Sequence, residues 1–472
     1  MEKDIGKEID SLIDKYSEDI VKSTQELVKI KSVETESSPG KPFGEGVNEA
    51  LNKALNMAKN LGFETENIDG YAGTAEMGKG EEMMGILCHL DVVPEGSDWT
   101  YPPYAAEIHD NKIFGRGTID DKGPAVAALY AMKAIKESDI ELNKRVRMIF
   151  GTDEESGWEG MDYYLQREEI PDFAFSPDAQ FPVIHAEKGI LIFNLESSFE
   201  KIKDNSNLKV KSIKGGNAPN MVPDYCEAVL EAESLDDLES EINEFCDNND
   251  YNIEIKRNGR EIVLKSYGVS AHGSRPQDGH NAISQLMVLL AELDLPEDDA
   301  KQFIDFYSKK IGMEYYGKSM GCGFEDDVSG KLIFNVGMLD MDETGGKIVV
   351  NIRYPVTMEA KDVFSGIDKE LNGSKIVINK GEHKEPLFVE KDDPLVKNLM
   401  AVYRDVTGDE SQPIAIGGGT YARAVDKAVA FGPLFPGQPE LAHQKDEFIA
   451  IDDLIKNAKI YARAIAALAG KN

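Results

Sequence analysis

Residues 85–96 read GILCHLDVVPEG, an apolar run that ends on a histidine and a carboxylate. The apolar part predicts a strand buried in a sheet. His89 and Asp91 lie two residues apart, so on an extended strand their side chains face the same side. Cys88 would face the opposite side and pack in the core. A buried strand that ends on a histidine and a carboxylate calls for a chemical explanation.

The net charge of the chain indicates which classes of binding partner are not expected. Its 472 residues exceed one ordinary domain. Its 86 acidic and 52 basic side chains give a formal net charge of −34. This charge repels nucleic-acid phosphates and anionic membrane surfaces, so neither nucleic acid nor membrane is an expected partner. The same charge attracts divalent cations, and it also fits adaptation to a salty cytoplasm.

The N-terminus and the cysteines indicate the compartment. Residues 1–10, MEKDIGKEID, are charged where a secretory signal would be apolar. No apolar run reaches the roughly 18 residues of a membrane span. The four cysteines form neither a CxxC pair nor a dense framework. We therefore predict a reduced, cytoplasmic protein.

The order of strand and helix patterns predicts two domains. Strands alternate with helices over residues 1–188, which predicts an α/β fold with a mixed, mostly parallel sheet flanked by helices. Over residues 189–384 the strands alternate between apolar and polar positions, with helical stretches between them, which is typical of an α+β domain. The α/β texture returns over residues 385–472. The second domain is therefore predicted to be inserted into the first.

Several predicted strands of the α/β part end on residue types that bind metals. In an open parallel sheet, ligands bind at the carboxyl ends of the strands. Each motif alone has an ordinary explanation, such as a structural histidine, a helix N-cap, a turn or a solvated charged loop. Clustered carboxylates, however, raise one another's pKa, so cations would be needed to hold them ionised. The residues concerned are His89, Asp91, Asp120, Asp121, Asp153, Glu154, Glu155 and Asp178.

Six segments carry a family resemblance. In chain order they are CHLDVVPEG, GRGTIDDKG, GTDEESG, SPDA, SAHGSRP and LAHQKDE. This ordered set resembles the dinuclear-metal peptidases related to carboxypeptidase G, aminoacylase-1 and succinyl-diaminopimelate desuccinylase, and is closest to PepV-type, carnosinase-like dipeptidases. The resemblance spans essentially the whole chain. It implies a zinc-peptidase-like catalytic domain over 1–188 and 385–472, with residues 189–384 as an inserted lid domain.

The resemblance also implies two divalent metal ions per chain. Asp120 would bridge them, Glu155 and His443 would complete one site, and His89 and Asp178 would complete the other. Two imidazoles and three carboxylates suit Zn²⁺, with Mn²⁺ or Co²⁺ as alternatives. A cis peptide bond is implied after Asp120.

Three further side chains would take part in catalysis. Asp91 would hold the second ring N–H of His89 and fix its tautomer. Glu154 would act as general base, taking a proton from a metal-bridging water and passing it to the leaving amine. By the same resemblance, His272, in the lid, would stabilise the tetrahedral oxyanion. The alternative for His272 is an ordinary surface-loop histidine.

Substrate contacts are predicted at three places. The segment GGGTYAR, residues 417–423, would offer backbone N–H groups, including those of Gly418 and Gly419, to a substrate carboxylate before a helix. Arg353 would pair with the same carboxylate through two hydrogen bonds. Asn220 resembles a substrate-contacting asparagine of the family. The alternatives are a plain helix-entry loop, a solvated strand arginine and a turn asparagine.

These features together predict a cytoplasmic metallopeptidase that hydrolyses small peptides, namely dipeptides with a free N-terminus. The alternative enzyme is an N-acyl amino acid deacylase or desuccinylase with the same two-metal site. A binding module on an inactive peptidase scaffold is the alternative from another class, and the retention of every implied ligand together with Glu154 and Asp91 argues against it. The long insertion has room for two lid units, and the resemblance implies that the second stands in for a partner subunit, so we predict a monomer.

Overall fold

A computed structural model describes residues 3–200, 208–232 and 235–471. The chain forms two compact units. The first consists of Met1–Ala186, Leu387–Ala415 and Gly419–Asn472, and the second of Glu187–Pro386 and Ile416–Gly418. None of the described helices combines the length and apolar composition that crossing a lipid bilayer requires.

The helices and strands of the described residues are numbered in chain order. The helices are α1 (Lys3–Lys15), α2 (Ser17–Val28), α3 (Glu45–Asn60), α4 (Lys122–Glu137), α5 (Glu159–Leu165), α6 (Leu235–Asn249), α7 (Ala282–Glu292), α8 (Asp299–Lys310), α9 (Ala360–Leu371), α10 (Pro394–Thr407) and α11 (Ile451–Ala469). Short 3₁₀ helices occupy Pro276–Asp278 and Tyr421–Ala424. The strands are β1 (Glu64–Ile68), β2 (Ala72–Gly78), β3 (Met83–His89), β4 (Glu107–His109), β5 (Lys112–Phe114), β6 (Arg145–Gly151), β7 (Phe173–Ser176), β8 (Ala179–Gln180), β9 (Val183–Glu187), β10 (Gly189–Ser198), β11 (Leu208–Gly215), β12 (Tyr225–Ala232), β13 (Ile253–Asn258), β14 (Glu261–Tyr267), β15 (Glu325–Asp326), β16 (Gly330–Lys331), β17 (Ile333–Asp342), β18 (Gly345–Tyr354), β19 (Val377–Lys384), β20 (Leu387–Phe388), β21 (Ile414–Ile416), β22 (Ala428–Phe431), β23 (Pro433–Leu434) and β24 (Phe448–Ala450).

The first unit is built on a nine-stranded mixed sheet. Its order is β1-β2-β6-β3-β7-β22-β9-β20, with β21 beside β9. The central pairs β6/β3, β3/β7 and β7/β22 are parallel. Towards the edges, β1/β2, β2/β6 and β22/β9 are antiparallel. The predicted α/β class with a mixed sheet flanked by helices is confirmed.

Strand β3 lies near the centre of this sheet and is buried at every position. Ile86 and Cys88 face a large apolar core that also holds residues of α1–α4, α10 and α11. Leu87 faces a smaller core on which α5 and the 421–424 turn pack. Both faces of the strand are therefore covered, and Cys88 packs in the core, as predicted.

The second unit has an antiparallel sheet of eight strands in the order β13-β14-β12-β11-β17-β18-β10-β19. Strand β10 is buried at alternate positions, which is the pattern of a sheet with one covered face. Helices α6–α9 contribute to a single apolar core with this sheet. The unit therefore has the α+β character predicted from the alternating strands.

Candidate active site

Three adjacent parallel strands place their carboxyl ends at one edge of the first unit's sheet. His89 ends β3, Glu154 and Glu155 follow β6, and Asp178 follows β7. Because β6, β3 and β7 are neighbours and run parallel, these side chains converge. Asp120 joins them from the segment before α4. The strand-end cluster inferred from the sequence is therefore a spatial cluster.

Asp120 lies between two imidazoles. Its Oδ1 is 2.9 Å from Nε2 of His89, and its Oδ2 is 3.1 Å from Nε2 of His443. The same nitrogen of His443 is 3.0 Å from Oε2 of Glu155. His89 Nε2 is 3.5 Å from Oδ1 of Asp178. The two oxygens of one carboxylate thus face different histidines, which is the geometry needed to bridge two cations.

Two overlapping groups of side chains offer potential metal ligands. The ligand atoms of His89, Asp120 and Glu155 lie within 4.8 Å of one another, and so do those of His89, Glu154 and Asp178. The second group contains Glu154, which the sequence predicts to be a base rather than a ligand. The position of the Glu154 carboxylate is compatible with both roles, general base and metal ligand. The metal content of a Glu154 variant distinguishes them.

The charges of the cluster fit divalent cations. Burial, with a contribution from Asp178, raises the pKa of Glu154 well above its ordinary value. Burial, with a contribution from Asp120, raises the pKa of Glu155 to about 7. Burial, opposed by His89, raises the pKa of Asp178 to about 6. Cations held between these groups would offset both burial and mutual repulsion and keep the carboxylates ionised. The donor set therefore fits a metal centre of nitrogen and oxygen ligands.

Asp91 connects the ends of β3 and β6. Its backbone oxygen is 3.0 Å from Nδ1 of His89, whereas its carboxylate Oδ1 is 3.5 Å from that nitrogen. The ring N–H of His89 therefore points mainly to the carbonyl, which differs from the carboxylate contact expected from the sequence. The other carboxylate oxygen, Oδ2, accepts the backbone N–H of Glu155 at 3.0 Å. Asp91 thus orients His89 through its backbone and the Glu155 segment through its side chain.

The peptide bond between Asp120 and Asp121 is cis, as the resemblance implies. Asp121 is fully buried, and its Oδ2 accepts the backbone N–H of His89 at 3.2 Å. It makes no side-chain cap to α4, so the helix N-cap considered as an ordinary explanation for such motifs does not describe it. The sequence placed Asp121 among the candidate metal-binding residues, whereas the implied ligand set did not include it.

Two aromatic residues behind the cluster were also missed. Trp158 Nε1 donates to the backbone oxygen of Glu154 at 2.8 Å. The Trp158 ring lies edge-on to the ring of Tyr421, with centroids 5.0 Å apart, and Tyr421 lies edge-on to His89 at 6.4 Å. Trp158 comes directly after the GTDEESG motif and Tyr421 lies within GGGTYAR, and that adjacency was the available signal.

The substrate-binding candidate Asn220 and the catalytic candidate His272 lie next to each other in the second unit. The backbone N–H of Gly273 donates to the carbonyl of Asn220 at 2.7 Å. His272 has Nδ1 2.6 Å from Oγ of Ser274 and is exposed. The turn that carries Asn220 and the loop that carries His272 therefore form one local structure.

Arg353 lies on β18 in the same unit and is 5 % exposed. Its Nε donates to Oδ1 of Asn351 at 2.9 Å, and its Nη1 donates to the carbonyl of Gly417 at 3.1 Å. The solvated strand arginine considered as an alternative does not describe this buried and oriented guanidinium.

The glycine-rich segment departs from the expected form. Gly418 belongs to the second unit and Gly419 to the first. The next element is a 3₁₀ helix of four residues, Tyr421–Ala424, whose first turn is capped by the Thr420 hydroxyl on the N–H of Ala422 at 3.2 Å. The expected helix is therefore too short to contribute an appreciable dipole.

A mixed α/β sheet whose strand ends gather histidines and carboxylates is the framework of a metal-dependent hydrolase. The chain belongs to peptidase family M20/M25/M40, whose model matches residues 85–467. The family predicted from the motifs is thus confirmed.

Relatives and solved structures agree with this assignment. The chain is 43 % identical over 455 residues to "Putative dipeptidase YtjP" of Bacillus subtilis (strain 168), covering 96 % of this chain and 97 % of the relative. It is 39 % identical over 458 residues to a "Putative dipeptidase" of Staphylococcus epidermidis (strain ATCC 12228 / FDA PCI 1200), covering 96 % and 97 %. Its fold is similar to human carnosine dipeptidase 1, with a TM-score of 0.60 at 15 % identity over 98 % of both chains. It is also similar to the dipeptidase Dug1p from Saccharomyces cerevisiae, with a TM-score of 0.58 at 12 % identity over 98 % of both chains.

Proposed function

We propose that this protein is a cytoplasmic, metal-dependent dipeptidase that hydrolyses dipeptides with a free N-terminus. The observation that carries the proposal is the carboxylate of Asp120, whose two oxygens face His89 and His443 beside Glu154. Family membership and the names of the two bacterial relatives support the substrate class.

The proposed centre holds two divalent ions, Zn²⁺ in the first instance, with Mn²⁺ or Co²⁺ as alternatives. Asp120 would contribute a ligand to both ions, Glu155 and His443 would hold one, and His89 and Asp178 would hold the other. When bound, such ions polarise a carbonyl and lower the pKa of water. The mixture of imidazole and carboxylate donors supports this choice of metals.

The chain's own residues move the protons and orient the reactants. Glu154 accepts a proton from the attacking water and delivers it to the amine that leaves. The indole N–H of Trp158 donates to the backbone carbonyl of Glu154, which helps to hold the segment that carries this carboxylate. His272 donates a hydrogen bond to the oxyanion, and the contact of its Nδ1 with Ser274 helps to set the ring orientation.

The substrate's C-terminal carboxylate is assigned to Arg353, Asn220 and the backbone of Gly418 and Gly419. The buried guanidinium of Arg353 is already oriented by two acceptors, which lowers the entropy cost of binding an anion. A dipeptide would place its scissile bond one residue away from this carboxylate.

A substrate panel with metal-stripped protein tests the proposal. We expect no turnover without metal, and recovery on dipeptides when Zn²⁺, Mn²⁺ or Co²⁺ is added, because the proposed chemistry needs both a cation and Glu154. N-acetylated dipeptides and N-acetyl amino acids should be poor substrates. A dipeptide amide should have a higher KM because it lacks the carboxylate assigned to Arg353. Released amino acids are measured by chromatography.

Each arm of this panel has a contradicting result. Faster release from N-acetyl amino acids would make the protein a deacylase. Full dipeptide turnover by the metal-stripped protein would show that the reaction does not require a metal ion. Binding of dipeptides without turnover under every metal would favour an inactive scaffold.

We further propose that the protein is a monomer whose His272 acts in its own chain. The second unit's sheet comprises β13, β14, β12 and β11 followed by β17, β18, β10 and β19, which is room for two four-stranded lid units in one chain. A lid tethered at both ends would present His272 at high effective concentration.

Light scattering at micromolar concentration should give a mass near 52.1 kDa. Mixing the inactive variants His272→Ala and Glu154→Gln should restore no activity, because neither chain can borrow the side chain it lacks. Each variant alone, at the same total concentration, is the control. Activity that appears only on mixing would show that the histidine acts across a dimer.

A further inference from the structure

The carboxylate of Glu447 is buried among donors from one segment of the chain. Its Oε1 accepts the backbone N–H groups of Gly117 and Ile119, each at 3.0 Å, and that of Asp120 at 3.4 Å. Its Oε2 accepts from Nη1 of Arg116 at 2.7 Å. One side chain thus takes up the backbone donors of the segment that carries the proposed bridging ligand.

Arg116 connects the same segment to the loop of the other histidine. Its Nη1 also donates to the carbonyl of Gln444 at 3.1 Å, directly after His443. The backbone N–H of Gly115 donates to the carbonyl of Glu447 at 2.9 Å. The side chains of Arg116 and Glu447 are 2 % and 0 % exposed, so water competes little for these bonds.

The loop from His443 to Glu447 needs such contacts. His443 has a φ of 65° and Asp446 a φ of 57°, in the left-handed region that non-glycine residues seldom adopt. Backbone of this kind persists only where its surroundings impose it. Asp446 is fastened by Thr100, whose N–H and hydroxyl donate to its carboxylate at 2.6 and 2.9 Å. The ion pair at Glu447 fastens the same loop at its end.

We infer that Arg116 and Glu447 are positioning residues. They hold the proposed metal ligands Asp120 and His443 in fixed positions relative to each other. The inference rests on the proposed metal centre. A buried ion pair contributes little net stability compared with apolar side chains of similar volume, so stability alone is a weak reason for this pair. Groups behind the ligands orient them, and their loss weakens metal binding. Neither residue contacts substrate in this role.

The test separates metal affinity from fold stability with two variants. Glu447→Gln keeps an oxygen that accepts the backbone N–H groups but leaves Arg116 without a counter-charge. The double variant Arg116→Met with Glu447→Gln removes both charges, so it is expected to fold even where the single variant does not. The matched control is Arg463→Met, which removes the partly buried ion pairs of Arg463 with Asp10 at 2.6 Å and with Asp405 at 2.5 Å.

Zn²⁺ affinity is measured by competition with a chromophoric chelator, and thermal unfolding is measured on the metal-free proteins. We expect about 10–100-fold weaker Zn²⁺ binding in both Glu447 variants. The Arg463 control should lose stability without losing Zn²⁺ affinity. This contrast is one that a merely structural role of the pair would not produce.

Wild-type Zn²⁺ affinity in the folded double variant would overturn the inference. So would an equal loss of affinity in the Arg463 control, since the effect would then follow general destabilisation. A wild-type protein that binds no Zn²⁺, Mn²⁺ or Co²⁺ would instead refute the proposed metal centre, so the two failures are distinguishable.

Discussion

Replacement of Glu154 by Gln is expected to lower kcat for dipeptides by roughly 10²–10⁴-fold, the usual contribution of a general base, while both metals stay bound. Glutamine has nearly the same shape as glutamate, but its amide cannot take a proton from water. The loop should keep its form because Trp158 holds the backbone carbonyl of residue 154 and not its side chain. The loss should therefore fall on the chemical step.

The variant is assayed for kcat on a dipeptide, and its metal equivalents are counted by mass spectrometry after dialysis. Glu159→Gln provides the matched control, because it makes the same chemical change on an exposed side chain a few residues along the chain. That control should behave as wild type. Loss of a metal equivalent in Glu154→Gln would instead make Glu154 a ligand, within the group it forms with His89 and Asp178.

The fold could be predicted where the pattern is local. The buried run at β3 and the alternation along β10 report which faces of each strand are covered, and both patterns are written in adjacent residues. The order of the strands is not local. Strand β22, from near the end of the chain, pairs with β7 and β9 in the middle of the sheet, and nothing in residues 428–431 specifies those partners.

The site shows the same division. His89 and Asp120 could be identified as candidates because the predicted strands end on residue types that bind metals, and His443 was identified through the family resemblance of the LAHQKDE segment. The acceptor of the His89 ring proton, by contrast, is a backbone carbonyl. Every residue has a backbone carbonyl, so no sequence pattern indicates which one accepts this proton. The burial of Asp121 and Arg353 likewise depends on residues distant in the chain. From the sequence alone, these two polar residues could equally have been exposed to solvent. Their orientation is set by tertiary packing.

Asp120→Ala is expected to remove both metals and with them all dipeptide hydrolysis. Each oxygen of the Asp120 carboxylate faces one histidine, so no other side chain of the proposed ligand set serves both positions. Without this carboxylate, each ion would keep fewer protein ligands, and His89 and His443 would lose the group that lies between them. Metal equivalents after dialysis and circular dichroism of the metal-free protein are the measurements.

Asp120→Asn gives the graded comparison for that result. The amide keeps one acceptor oxygen at nearly the same position, but its NH₂ group cannot ligate a cation. We therefore expect the Asn variant to retain at most one metal equivalent, and the Ala variant none, while both keep the circular dichroism spectrum of the metal-free wild type. Two equivalents in Asp120→Ala would contradict the bridging role, and the centre would then have to be assembled around His89, Glu154 and Asp178, the group that does not include Asp120.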